Sequence, residues 1–63
     1  MNAPQTLTLP GLESVYDALA TAIDQAGPDK AELFLVKLAL LNAQALGDAD
    51  AFRRQIDAAL RDL

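Results

Sequence analysis

Cysteine, histidine and tryptophan are all missing from this 63-residue chain. Without cysteine there is no disulfide and no thiolate metal site. Without histidine the chain lacks the commonest general base and the commonest transition-metal ligand. The same lack of histidine excludes a Ser-His-acid triad, and Ser14, the single serine, reads as an outward-facing helix residue. The three glycines, Gly11, Gly27 and Gly47, are isolated, so no phosphate-cradling loop exists. Positive charge is also scarce. Five Lys and Arg face nine Asp and Glu, for a net charge of −4 and an isoelectric point near 4.3. A nucleic-acid partner calls for a clustered positive footprint, and none is present. Long apolar runs are missing too. The longest, Leu33 to Leu41, is interrupted by Lys37 and falls far short of the roughly 20 residues that span a bilayer. No membrane partner is therefore expected. The N-terminal residues show no basic segment leading into an apolar run, so no signal peptide is expected. The lack of cysteine fits a cytoplasmic location.

What is present is apolar and helical in pattern. Hydrophobic residues make up 52% of the chain, far above a disordered composition. At this length there is one domain at most, and its core is marginal. A domain so small needs disulfides, a metal, a partner or very regular helix packing. With neither cysteine nor histidine present, helix regularity and association are what is left to expect.

The organising stretch runs from Asp29 to Gly47. Asp29 followed by Glu32 resembles a capping box, and Gly47 is a helix stop. The spacing predicts a helix over about 29–46. Lys30, Lys37 and Gln44 are seven apart and form one narrow polar stripe. Leu33, Phe34, Leu35, Val36, Leu38, Leu40, Leu41 and Leu46 occupy most of the remaining circumference. A helix apolar nearly all round is expected to be covered on several sides.

Before it, residues 1–9 read as a flexible tail, with Leu9 loosely packed and disorder before Thr6. Pro10 suits a first helical turn, and Thr8 is the candidate cap. Leu12, Val15, Tyr16, Leu19, Ile23 and Ala26 then fall at steps of three or four, giving a helix over about 10–26. Glu13, Asp17, Thr21 and Asp24 lie opposite, and Glu13 is placed near the positive helix end. Gly27–Pro28 ends this helix.

After the middle helix, Asp48 caps a third over about 49–62, with an apolar seam of Ala49, Phe52, Ile56, Ala59, Leu60 and Leu63. Asp50–Arg54, Arg53–Asp57 and Asp57–Arg61 are spaced i,i+4 for surface ion pairs. No segment carries a convincing strand pattern. The expected fold is all-α: a small three-helix bundle whose middle helix is most buried, in a single domain over 10–63. A helical hairpin of the second and third helices, with the first laid on another copy, is the alternative.

The run Leu38-Ala39-Leu40-Leu41, then Leu46-Gly47-Asp48, with the earlier Tyr16-Asp17-Ala18-Leu19, is similar to a family of short, uncharacterised helical proteins of proteobacteria. The similarity extends from about Leu12 to Leu60. It implies an accessory role beside a larger protein, such as the flavin-dependent oxidoreductases of aromatic-compound metabolism. It carries no catalytic residue to transfer.

No residue constellation here suits catalysis, so the chain is read as a non-enzyme without cofactor or metal. Lys37 is read with its stem along the leucines and its ammonium in water. Asp48 and Asp50 are explained by a helix start, and Asp24 and Asp29 by a solvated turn. Arg53, Arg54 and Arg61 are interleaved with Asp50, Asp57 and Asp62, which cancels an anion-binding field. The remaining signal is surplus apolar surface on the middle helix. Leu35, Leu38, Asn42 and Leu46 lie opposite the lysine stripe, and Tyr16 adds an aromatic packing site. These five residues are the expected interaction surface, with a homodimer or a larger protein as partner. Asn42 in such a seam selects register. A small carrier of an apolar ligand or lipid, using space beside Ala39, Ala43, Ala45, Ala58 and Ala59, is the alternative function.

Overall fold

The computed structural model describes residues 6–63. Three helices account for most of them: α1 (Leu9–Ala26), α2 (Ala31–Leu46) and α3 (Ala49–Leu60). No strand occurs among the described residues, so the all-α class expected from the sequence holds. The disorder expected before Thr6 concerns residues outside the described ones. The chain divides into two compact units: the first ends at Ala31, and the second spans Glu32–Leu63. The first unit thus holds α1, and the second holds nearly all of α2 together with α3.

Helix α1 starts where its cap chemistry places it. Thr8 is extended, and its Oγ1 accepts from the Gly11 N–H at 3.1 Å. The Thr8 carbonyl takes the first helical bond, from the Leu12 N–H at 2.8 Å. Pro10 sits in the first turn, where the missing N–H leaves no bond broken. Leu9 belongs to α1, one residue earlier than expected, and Glu13 lies beyond the first turn, which contains no acid. At the other end the Gly27 N–H donates to the Ile23 carbonyl at 3.1 Å.

Gly27 is the conformational pivot of the first link. Its φ of 81° and ψ of 163° lie in a region open essentially to glycine. Two demands meet there. The helix must stop, which positive φ achieves, and the residue before proline must keep an extended ψ. Pro28 then fills the second position of a tight turn, closed by the Lys30 N–H donating to the Gly27 carbonyl at 3.1 Å.

This turn explains the first departure from expectation. Asp29 is inside it, so α2 begins at Ala31 rather than Asp29. The Asp29 side chain makes no hydrogen bond among the described residues, and the capping box does not form. Glu32 remains in the first turn of α2, where the helix dipole favours it.

The second link is two residues long. Gly47, at a φ of 72°, donates its N–H to the Ala43 carbonyl at 3.0 Å, as a glycine stop should. Asp48 is extended, and its Oδ1 accepts from the Ala51 N–H at 3.0 Å. α3 is only 12 residues long, close to the length at which an isolated helix is marginal. Its cap therefore matters. Asp48→Ala is expected to lower stability by about 1 kcal/mol, whereas Asp48→Ser keeps most of it. Urea midpoints for the two variants check this, and equal midpoints would show that the cap is dispensable.

α3 stops at Leu60 rather than 62. The Arg61 N–H reaches back to the Ala58 carbonyl at 3.3 Å, and Asp62 takes a positive φ of 57°. Aspartate tolerates this left-handed conformation better than most residues. The expected i,i+4 ion pairs are not closed. Instead Arg53 meets Asp50 one turn earlier, at 2.9 Å and i,i+3. Both side chains are exposed, so the pair contributes about a few tenths of a kcal/mol.

No described residue is fully buried. In α1 the half-buried side chains are Leu19, Ala22, Ile23 and Ala26. In the second unit they are Phe34, Leu38, Ala39 and Ala43 of α2, and Ala51 and Phe52 of α3. The cover expected on several sides of α2 is thus incomplete within one chain.

Candidate interaction surface

The apolar seams are half-covered over part of their length and open over the rest. Along α1 the covered part is the C-terminal half. Leu9, Leu12, Val15 and Tyr16, on the N-terminal half, are exposed. Steps of three and four place Leu12, Val15, Tyr16 and Leu19 on one stripe, so one seam changes from open to half-covered along its length. Leu7 adds to the open end, where it lies over Gly11: a Cβ at Gly11 would stand 3.5 Å from the Leu7 Cδ2.

On α2 the open side is the one that carries the lysine. Leu33 is 58% exposed, Leu40 64% and Leu41 67%. Leu33 and Leu40 are two turns apart, and Lys37 lies between them in sequence and one turn from Leu41. An open groove runs here, lined by Lys37, Leu40, Leu41 and Gln44. Its walls are leucine side chains, and its polar points are one ammonium and one amide. Lys37 forms no ion pair among the described residues.

The five residues singled out from the sequence are placed as follows. Leu38 is half-buried. Leu35 and Leu46 are 40% and 42% exposed, less open than the leucines beside Lys37. Asn42 is exposed. Tyr16 is 72% exposed, so it is not packed within the chain. Tyr16 belongs to the first unit, and Leu35, Leu38, Asn42 and Leu46 to the second. Leu33, Leu40 and Leu41 lie outside the surface expected from the sequence, and the signal that finds them is accessibility rather than pattern.

Of the alanines that the carrier reading uses, Ala39 and Ala43 are half-buried, while Ala45, Ala58 and Ala59 are exposed. They do not jointly line an enclosed space. Among the described residues no three potential ligands converge on a metal position, and no helix is long and apolar enough to cross a membrane. No protein-family model, curated relative or solved structure matches the chain.

Proposed function

We propose that this protein is a non-enzymatic helical interaction module, acting in the cytoplasm, whose open apolar seams are completed by another protein surface. One observation carries the reading: fourteen large apolar side chains are exposed and none is buried among the described residues. Single exposed leucines need no explanation. Contiguous ones do, because monomeric proteins seldom leave large apolar patches open. Covering a leucine fully contributes about 1.5–3 kcal/mol, so these seams hold enough to drive association.

The partner is a second copy or a larger protein. A role as small subunit of an oxidoreductase is supported only by the family resemblance. An apolar-ligand carrier is less well supported, since the groove beside Lys37 is open and ligand sites enclose most of their ligand.

Sedimentation equilibrium from about 1 to 500 μM tests the self-associating form. Association at micromolar concentration is expected, together with a melting temperature that rises with concentration. A monomer with an invariant melting temperature across that range would leave only the larger-partner form.

A further inference from the structure

Among the exposed seams, two are matched in both apolar character and charge. α1 carries Glu13, Asp17 and Asp24 and no basic residue. Its open end presents Leu9, Leu12, Val15 and Tyr16, with Glu13 and Asp17 at the flank, one turn apart. The open side of α2 presents Leu33, Leu40 and Leu41 around Lys37. Neither Lys37 nor the two acids has an ion-pair partner among the described residues.

We infer that the open end of α1 in one copy seats on the Leu33–Lys37–Leu41 side of α2 in a second copy, with Glu13 and Asp17 facing Lys37. The inference rests on the self-associating form of the proposed function and specifies its contact. Three observations support it over other pairings. First, α3 also has an open seam, at Ile56 and Leu60, but its acids and arginines alternate, so its field selects no partner. Second, two α1 helices would set acid against acid. Third, each copy offers both an acidic and a basic seam, so the two complementary surfaces are always present in equal number. The charges contribute mainly orientation, since they exclude the like-charged alternatives.

The test is charge reversal in the full-length chain, read by sedimentation equilibrium. Lys37→Glu alone is expected to weaken self-association about tenfold or more. Glu13→Lys combined with Asp17→Lys should do the same. All three residues are exposed, and circular dichroism checks that helix content is kept. The decisive measurement is the equimolar mixture of the two variants. Each α1 then faces an α2 of opposite sign, so a mixed pair should form with an affinity within about threefold of the parent, even though each variant alone stays apart. Rescue in the mixture also shows that neither variant is merely misfolded. A dimer indifferent to both reversals overturns the contact but leaves self-association standing. Failure of the mixture to pair overturns it likewise. A parent chain that is monomeric throughout removes both the contact and the self-associating form.

Discussion

Gly27→Ala is expected to cost about 1–3 kcal/mol of folding free energy. For a chain of this length, whose whole stability is roughly 3–9 kcal/mol, that is a large fraction. The space around the position is not the cause. A Cβ there would meet nothing within 4 Å. The cost comes from the backbone alone, which holds φ at 81° and ψ at 163°, where an L side chain collides with its own peptide groups. Relaxing φ to negative values does not help without rebuilding the turn. Pro28 restricts the backbone before it, and the bond from the Lys30 N–H to the Gly27 carbonyl fixes the turn after it. Chirality offers a sharp control. A chemically synthesised chain with d-alanine at position 27 accepts positive φ, and it also restricts the unfolded chain. Its stability should match or exceed the parent's. Chemical denaturation of the three chains decides the matter. If l- and d-alanine destabilise equally, the backbone argument is wrong.

Replacing Leu40 and Leu41 together by glutamine is expected to separate association from folding. Glutamine is a good helix former. Both positions are mostly open, and exposed substitutions usually change stability by less than about 0.5 kcal/mol. Helix content and the dilute-limit urea midpoint should therefore change little. At a buried contact the same truncation acts on central apolar anchors, each costing about 1–2 kcal/mol. Together they should weaken self-association by about 100-fold. Leu60→Gln is the matched control, an equally exposed leucine on α3 outside the inferred contact. It should leave association within about twofold. Weakening by Leu60→Gln with none from the double substitution would move the contact to α3. Outright unfolding of the double variant would show that these leucines support the monomer.

The elements legible in the sequence are those with local causes. Thr8, Asp48 and Gly47 terminate helices through bonds to residues at most four positions away. Such bonds follow from residue type and spacing. Asp29 failed as a cap for an equally local reason. Gly27–Pro28 starts a turn that uses up the residues where the cap was expected, and α2 starts only after the turn closes. The i,i+4 spacing of Arg53 and Asp57 closes no ion pair, because Arg53 reaches Asp50 at i,i+3 as readily.

The open face of α2 was not legible, and the reason is physical. A sequence orients a helix only when its apolar residues favour one side. On α2 they surround the helix almost evenly. Leu35, Leu38 and Leu46 are then no better candidates than Leu33, Leu40 and Leu41. Long lysine stems lie comfortably along leucines, so a polar stripe need not mark a solvent-facing side. α1 and α3 differ in this respect, since their large apolar residues favour one side. How far along each seam the cover extends depends on where neighbouring segments end, which no spacing records.

With no sealed interior among its described residues, the chain keeps little stability in reserve, and the self-association proposed above would add to that reserve by mass action. On the proposed self-associating form, dose would then be a structural variable: a higher copy number would raise the fraction held in the protected, associated state.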